Sequence, residues 1–382
     1  MFFTGKSDLK LPQERFSVTY KVQGDEKEAY RKAQDICIEQ TVEFPEDVVP
    51  EGIIKDNIVG KIESFNKLEE GVFQVNISYP EDATAYELTQ LINVIFGNTS
   101  IKPGVRVEKV NLSEKITDSF KGPRFGIKGI RKLLNVPKRP LLFTALKPMG
   151  VSAEELSHIA YEFAVGGIDI IKDDHGLTNQ PFCPYEKRVK LCSEAVKRAN
   201  DKTGRNTIYV PNITAPAGEI LDRARIAKKF GAGGVLIAPG LTGFDAMRQV
   251  ADDGSIALPV ISHPAFQGSF VLGNEGISHK VLFGDIARIS GADATIYPNF
   301  LGRFSFSREE CVGVSKNCKK EFGKLKSVLP CPSGGMNLEN IPESYKAYGD
   351  DVAFLIGGGL FRKGHSMADT CKYFKDLVEN LI

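Results

Sequence analysis

The stretch Gly166-Gly167-Ile168-Asp169-Ile170-Ile171-Lys172-Asp173-Asp174-His175 is the most informative segment of the chain. Residues 168–171 are mostly apolar and β-branched with little alternation, as in a parallel-sheet strand that is covered on both faces. One cation, two carboxylates and an imidazole follow at once. Buried ions are costly unless they are paired or metal-bound, and a parallel α/β barrel builds its active site at the C-terminal ends of its strands. The stretch therefore predicts a barrel strand that leads into an active site.

Apolar runs alternate with helical patterns from about residue 141 to the end of the chain. The predicted strands are Leu141–Leu146, Ile168–Ile171, Thr207–Val210, Gly234–Ile237, Pro259–Ser262, Ala294–Tyr297, Ser327–Leu329 and Val352–Ile356. About eight such strands close a (β/α)₈ barrel. A capping box at Ser152 and Glu155 begins the first intervening helix, and a second helix is predicted from about Gly218 to Phe230.

The N-terminal part of the chain has a different pattern, in which strands alternate with period two. The predicted elements are strands at Phe16–Val22 and Val72–Tyr79 and helices near Glu26–Ile38 and Ala85–Ile95. Such a mixture predicts a small α+β sandwich of the ferredoxin-like type. The predicted domains are therefore an α+β domain at 1–121 and a catalytic barrel at 122–382. The Gly-, Pro- and basic-rich segment 122–140 connects them.

Composition excludes several classes of protein. The chain has 382 residues and a formal net charge of +1, so no global field attracts nucleic acid or an anionic membrane. Its seven cysteines include no CxxC pair, which argues against a disulfide framework and a structural zinc site. Met1–Lys6 has no apolar core for a signal peptide, and no run is long enough to span a membrane. We expect a cytoplasmic protein with neither a nucleic-acid nor a membrane partner.

A series of landmarks resembles the RuBisCO large-chain superfamily in its order along the chain. They are Glu39, Gly97-Asn98, Gly122-Pro123-Arg124-Phe125-Gly126-Ile127, Thr144-Ala145-Leu146-Lys147-Pro148, Lys172-Asp173-Asp174, Asn179-Gln180-Pro181-Phe182, His263, Ser333-Gly334-Gly335 and Gly357-Gly358-Gly359. Residues 122–142 are especially similar to the enolase branch of the non-carboxylating, form IV RuBisCO-like proteins. The resemblance implies a RuBisCO-type α+β domain, a (β/α)₈ barrel and an active homodimer.

The resemblance implies a divalent metal, Mg²⁺ or another ion, on Lys172, Asp174 and His175, with Lys172 carbamylated by CO₂. The alternative for Lys172 is a structural ion pair with a neighbouring carboxylate. His175 stands where the family has glutamate, and imidazole suits transition ions better than Mg²⁺. It either weakens Mg²⁺ binding, shifts the metal preference, or turns outward and leaves a two-ligand or metal-free site.

Two further residues are predicted to be catalytic. Lys147, at the end of the first barrel strand, resembles a substrate-contacting lysine that can exchange a proton or stabilise an oxyanion; the alternative is a surface ammonium. Met149 replaces the second lysine of the family's Lys-Pro-Lys motif. His263, at the end of the fifth barrel strand, is predicted to hydrogen-bond to the substrate or exchange a proton with it, although a lone histidine there can also be structural.

Phosphate binding is predicted at one end of the site only. Ser333, Gly334, Gly335, Gly357 and Gly358 follow the seventh and eighth barrel strands, where glycines let main-chain N–H groups cradle a phosphate. At the opposite end, Pro264 and Ile296 replace an arginine and a histidine of the carboxylases. A substrate with a single phosphate is therefore favoured.

Three more residues are predicted to bind substrate. Arg303 replaces the lysine that steadies CO₂ in carboxylases, and it could clamp a substrate carboxylate. Asn98 resembles the carboxylase asparagine rather than the lysine base of the diketo-methylthiopentyl phosphate enolases, and an amide cannot abstract a proton. Through the family's dimer, Glu39 and Asn98 would reach the barrel of a second subunit.

These features predict an enzyme, an isomerase or lyase, that acts through a metal-stabilised enediolate on a monophosphorylated, sugar-derived ketone. The favoured activity is enolisation or isomerisation of the methionine-salvage type. Carboxylation of ribulose bisphosphate is not expected, because five positions differ from the active-site residues of the carboxylases: Met149, His175, Pro264, Ile296 and Arg303. The alternatives are decarboxylation or hydrolysis of a phosphorylated oxo-sugar acid, such as 3-oxo-isoapionate 4-phosphate, and a non-catalytic phosphate-binding homologue.

Overall fold

A computed structural model describes residues 14–361 and 366–381, so the predicted absence of a signal peptide at Met1–Lys6 lies outside it. The strands are β1 (Arg15–Gln23), β2 (Lys61–Glu69), β3 (Val72–Pro80), β4 (Val105–Asn111), β5 (Leu141–Leu146), β6 (Ile170–Asp173), β7 (Ile208–Val210), β8 (Val235–Ile237), β9 (Val260–Ser262), β10 (Gly276–Ile277), β11 (Ala294–Pro298), β12 (Leu329–Ser333) and β13 (Ala353–Ile356).

Helices separate most of these strands. They are α1 (Glu26–Glu39), α2 (Leu88–Phe96), α3 (Glu114–Asp118), α4 (Gly126–Leu134), α5 (Ala153–Gly166), α6 (Tyr185–Thr203), α7 (Ile220–Lys229), α8 (Pro239–Thr242), α9 (Phe244–Asp252), α10 (Gly268–Val271), α11 (Ala287–Ile289), α12 (Arg308–Lys319), α13 (Ile341–Tyr348) and α14 (Met367–Glu379). The predicted capping box of α5 is confirmed, since the Ser152 and Glu155 side chains each accept the other residue's main-chain N–H.

The described residues form two compact units. Unit 1 holds the described residues up to Phe120 together with segments 268–282 and 322–324. Unit 2 holds segments 121–267 and 283–321 and the described residues from 325 onward. The domain boundary between residues 121 and 122 stays a prediction.

Unit 1 is built on a five-stranded sheet in the order β10-β4-β1-β3-β2. Alternate residues of β1 are buried, because one face of the sheet packs against α1. The sequence missed β2, whose largely exposed, charged positions give little apolar alternation. The helix predicted from Ala85 begins at Leu88, since Ala85 and Tyr86 take positive φ and cannot continue a helix.

Unit 2 contains eight parallel barrel strands in two hydrogen-bonded ladders, β13-β5-β6-β7 and β8-β9-β11-β12. A bridge between Asn212 and Leu236 joins β7 to β8, and β12 contacts β13. The predicted fold class is confirmed. One apolar cluster fills the inside of the barrel, with members from every one of these strands, and helix α4 adds Ile127, Ile130 and Leu134 to it.

Two barrel strands differ from the prediction by more than one residue at an end. The seventh extends over Leu329–Ser333 rather than Ser327–Leu329, although Pro330 and Pro332 discourage a strand assignment. Both prolines are tolerated because β12 ends its ladder. Leu329 N–H donates to Asp293 O on the β11 side. Main-chain N atoms alternate between the two sides of a strand, so those of Pro330 and Pro332 point toward β13. The hydrogen-bonded ladder is interrupted on that side, and no N–H is needed there.

Strand β6 also ends later than predicted, at Asp173, so Lys172 and Asp173 lie inside the strand. Lys172 pairs with Ala145 of β5 and Val210 of β7. Since side chains alternate along a strand, Lys172 shares the inner face with Ile170 of the barrel cluster. Asp173 consequently points outward, toward α6.

Candidate active site

Lys172 lies at the inner, C-terminal end of β6 and is almost fully buried. Its Nζ donates to the main-chain O of Asp173 at 3.0 Å. Burial lowers the pKa of Lys172 to about 8, helped by the charge of Lys147 and opposed by the charges of Asp174 and Asp173. The amine is therefore neutral in a larger fraction of molecules near neutral pH than an exposed lysine.

Asp173, on the other face of the strand, is occupied by structural partners. Its carboxylate accepts from Arg188 Nε at 3.1 Å, Tyr209 Oη at 2.6 Å and Asn212 N at 3.0 Å. Arg188 and Asp173 are both fully buried. These interactions satisfy Asp173 and leave Asp174 as the carboxylate that the site can use. No sequence pattern indicated this set, because the partners lie 15 to 39 residues further along the chain.

Asp174 connects Lys147 with His175. Asp174 Oδ1 accepts from Lys147 Nζ at 2.7 Å and lies 3.4 Å from His175 Nδ1. Burial by itself would raise the pKa of Asp174. The hydrogen bonds from His175 and Lys147 and the charge of Lys172 outweigh burial and hold it well below its usual range. The carboxylate is ionised at any ordinary pH, and it brings together side chains from the ends of β5 and β6.

His263, after β9, joins the same group. Its ring stacks on the His175 ring with centroids 4.6 Å apart and an interplanar angle of 13°. The Ala265 N–H donates to His263 Nδ1 at 3.1 Å, which places the proton of the neutral ring on Nε2. Burial, followed by the charges of Lys172 and His175, lowers the pKa of His263 well below its ordinary value. His263 is therefore a neutral hydrogen-bond donor through Nε2.

The predicted phosphate loop follows β12. Gly334 and Gly335 have φ of +86° and +129°, values that L side chains rarely adopt. The loop is tied to the loop after β11, since Arg303 N–H donates to Gly334 O at 2.7 Å. Gly302 permits this approach, because a Cβ there would lie 2.4 Å from Gly334 O. Open space surrounds Gly357 and Gly358 after β13.

Three of the residues that depart from the carboxylases make apolar contacts. Ile296 is buried in the barrel cluster. Met149 packs its methyl group over Gly176, where a Cβ would lie 2.4 Å from Met149 Cε. The Arg303 guanidinium lies over the Phe304 ring at 5.1 Å from the centroid and pairs with no carboxylate among the residues described.

Glu39 and Asn98 meet in unit 1. Asn98 Nδ2 donates to Glu39 Oε1 at 3.0 Å, and Lys102 Nζ donates to Glu39 Oε2 at 3.1 Å. The hydrogen bonds from Asn98 and Lys102 lower the pKa of Glu39. Lys102, which the sequence did not single out, is the third member of this polar cluster.

The donor set for a metal ion is incomplete with Lys172 in its amine form. Within segments 14–361 and 366–381, no three His, Cys, Asp or Glu side chains are grouped to hold an ion. Asp174 and His175 lie side by side, and the charge of Lys172 acts on Asp174. A carbamate on Lys172 would add an oxygen ligand. The residues thus fit a divalent ion on the condition that Lys172 carries CO₂.

Residues 126–372 match the model of the ribulose bisphosphate carboxylase large chain, catalytic domain. The chain belongs to the RuBisCO large-chain family. Within that family it is a RuBisCO-like protein. It is 35% identical over 361 residues to ribulose bisphosphate carboxylase-like protein 1 of Rhodopseudomonas palustris, which covers 94% of this chain and 96% of the relative.

Other relatives are named as enzymes. The chain is 33% identical to 5-methylthioribulose-1-phosphate isomerase of Rhodospirillum rubrum, over 91% of each chain. It is 32% identical to 2,3-diketo-5-methylthiopentyl-1-phosphate enolase of Bacillus pumilus, over 84% of this chain and 80% of the relative. These names support membership of an enzyme family and leave the reaction of this RuBisCO-like protein to be proposed.

Solved structures agree with the family assignment. The RuBisCO-like protein from Rhodopseudomonas palustris superimposes with a TM-score of 0.88 at 34% identity, covering 97% of this chain and 99% of that one. A dimeric archaeal RuBisCO from Hyperthermus butylicus gives 0.87 at 25% identity, covering 98% and 92%. None of the described helices is long and apolar enough to cross a membrane.

Proposed function

We propose that this RuBisCO-like protein transfers a proton next to the carbonyl of a monophosphorylated, sugar-derived ketone, in an isomerisation or enolisation of the methionine-salvage type. One observation carries the proposal. Lys147, Lys172, Asp174, His175 and His263 converge at the C-terminal ends of β5, β6 and β9. Proton abstraction next to a carbonyl needs a proton-transfer group and a donor for the developing oxyanion, and this group offers both.

The proposed roles follow from the geometry. Lys147 is half-exposed and held by Asp174, so its amine can exchange a proton with a bound substrate. His263 donates its Nε2–H to the oxygen that gains charge. Lys172 as a carbamate, Asp174 and His175 would hold a divalent ion, which when bound stabilises the enediolate charge. His175 makes an ion other than Mg²⁺ a strong candidate for this site.

The substrate class follows from the two ends of the site. Ser333, Gly334, Gly335, Gly357 and Gly358 would bind one phosphate through main-chain N–H groups, with Arg303 beside them. Ile296 is enclosed by the barrel cluster and offers no donor to a second phosphate.

This assignment predicts that ribulose 1,5-bisphosphate binds more weakly than a pentulose monophosphate. The expected difference is about 10- to 100-fold, the value of one or two charge-assisted hydrogen bonds. Calorimetric titration of both ligands measures it. Equal or tighter binding of the bisphosphate would contradict a one-phosphate site.

Among the named relatives, the isomerase supplies the better first test substrate. Asn98 is an amide that cannot abstract a proton, which argues against the lysine-base chemistry of the enolases. We propose 5-methylthioribulose 1-phosphate as this substrate, because the isomerase of Rhodospirillum rubrum is similar to this protein over 91% of each chain.

We propose a homodimer as the active assembly. Glu39 and Asn98, already joined by a hydrogen bond, would contribute to the substrate site of a second subunit. The dimeric archaeal relative supports this arrangement. The predicted division into an α+β domain at 1–121 and a catalytic barrel at 122–382 belongs to the same proposal.

The proposal is tested by following substrate C–H signals by NMR in D₂O with added bicarbonate and divalent metal. We expect deuterium to enter next to the carbonyl with the parent protein and with His158→Ala, an exposed histidine of α5. The His263→Ala variant should exchange about 100-fold more slowly. Absence of exchange in the parent would leave a non-catalytic binding protein as the better interpretation.

Arg303 favours a second candidate, decarboxylation or hydrolysis of a phosphorylated oxo-sugar acid. Its exposed guanidinium is available for a substrate carboxylate. Release of CO₂ from 3-oxo-isoapionate 4-phosphate, lost in Arg303→Met and absent with 5-methylthioribulose 1-phosphate, would support this candidate over the first.

A further inference from the structure

The loop that carries Asp174 and His175 is held by the buried side-chain amide of Asn212. Asn212 follows β7 and is 1% exposed. Its Nδ2 donates to His175 O at 2.9 Å and to Leu177 O at 3.0 Å. Its Oδ1 accepts from Thr214 N at 3.1 Å. Both hydrogens of the Asn212 amide are therefore hydrogen-bonded to the backbone of a single loop.

The same loop has two other restraints. Gln180 Nε2 donates to Gly176 O at 2.7 Å, and Leu177 N–H donates to Asp174 O at 3.0 Å. The carbonyls of residues 174–177 are thus all engaged. Asn212 also donates its main-chain N–H to Asp173, which fixes the end of β6.

We propose that Asn212 is a positioning residue, which holds the backbone of residues 175–177 and so sets the Asp174 carboxylate and the His175 ring against Lys147 and His263. Its role in turnover rests on the function proposed above, whereas its role in geometry does not. His175 is 51% exposed and lies on a loop, so its stacking on His263 depends on where the backbone places it. Small displacements of such groups are costly in rate.

The physical case depends on burial. Removing the Asn212 side-chain amide leaves the main-chain O of His175 and that of Leu177 without this donor. An acceptor that has lost its partner and is kept from water is costly if the loop stays in place. Movement of the loop toward water relieves that cost. The variant chain is therefore expected to shift residues 175–177, which carries His175 away from His263.

The test compares Asn212→Ala with Asn200→Ala. Asn200 makes two hydrogen bonds to Thr207 just before β7, so it matches Asn212 in type and lies at the other end of the strand. The first readout is the ring-current shift of the His175 and His263 resonances by NMR, which needs no substrate. We expect Asn212→Ala to lose the shift and Asn200→Ala to keep it.

The second readout is the exchange reaction. With the isomerase substrate, kcat is expected to fall about 10- to 100-fold in Asn212→Ala, as for other supporting-residue changes, while KM changes little. If Asn212→Ala does not fold, Gln180→Ala removes two hydrogen bonds from the same loop, one to Gly176 O and one from Thr178 N. Neither involves His175 directly, so this variant should show a smaller loss of the same shift. Retention of the histidine shift in the folded variants would overturn the proposal. If Asn212→Ala loses the histidine shift but the parent protein shows no substrate exchange, the positioning role of Asn212 is supported and the proposed function is refuted.

Discussion

The charged side chains at the two ends of strand β6 differ in how completely they are paired. Before the strand, Asp169 pairs with Arg139 at 2.8 and 2.9 Å and accepts the Leu142 N–H at 2.8 Å. At the C-terminal end, the one hydrogen bond that Lys172 makes to the described part of the chain is to a main-chain carbonyl. Asp174 there shares one oxygen between Lys147 and His175. Complete pairing indicates a structural role, whereas strongly shifted and incompletely paired groups indicate a site for chemistry.

The largest expected effect concerns Lys147. Lys147→Met should lower substrate exchange by about 100- to 10,000-fold if the amine transfers the proton. The free energy of unfolding should change by less than about 1 kcal/mol, since the side chain is 39% exposed and its ion pair is screened. NMR exchange and urea unfolding measure the two quantities. Lys197→Met, at an exposed lysine of α6, is the matched control. A loss of the same size in this variant would contradict a proton-transfer role for Lys147.

The opposite end of the strand should give the opposite result. Asp169→Asn removes the buried counter-charge of Arg139 and leaves only the half-exposed Glu379 at 4.0 Å. The free energy of unfolding should therefore fall by about 3–5 kcal/mol. Exchange per folded molecule should stay near the parent value, because Asp169 contacts no residue of the site. Denaturant unfolding combined with kinetics on the folded fraction checks this. A loss of substrate exchange without a loss of stability in Asp169→Asn would contradict the purely structural role assigned to Asp169.

Lys172 makes stability depend on pH. Its folded pKa is about 8, whereas an unfolded lysine titrates near ~10.4. Between these values the unfolded chain binds more protons, so the free energy of unfolding should rise with pH by roughly 3 kcal/mol. Below this window both states are protonated and the gain is absent.

Urea unfolding in CO₂-free buffer, at about pH 7.5 and about pH 10, measures the rise against Lys172→Met. The variant should lack this part of the pH dependence. A parallel rise in both proteins would assign the effect to another group.

The smallest expected effect concerns the metal preference. His175→Glu should raise Mg²⁺ affinity by about tenfold with bicarbonate present, because carboxylate oxygen suits this ion better than imidazole. Titration of Mg²⁺ and Mn²⁺ into both proteins measures the change. An unchanged Mg²⁺ affinity would mean that His175 stacks on His263 without serving as a ligand.

Much of the architecture was predictable because apolar periodicity reflects burial. The first barrel strand was predicted with its observed bounds, Leu141–Leu146, and the order of landmarks led to the family. The seventh strand was misplaced, since local propensity disfavours prolines that only the interrupted ladder beside β13 can accept. Strand β2 was missed for the complementary reason, as an exposed strand has little apolar pattern to detect.

The sequence by itself determined the order of elements, the family and the set of charged residues at the end of β6. Tertiary structure alone decided which of those charges are satisfied. Asp173 and Asp174 are chemically identical neighbours, yet strand alternation turns one toward Arg188 and Tyr209 and leaves the other to Lys147 and His175. Such partners come from distant segments, and their hydrogen bonds depend on geometry that no local pattern encodes. The same holds for Asn212, whose role arises only where β7 closes against the loop after β6.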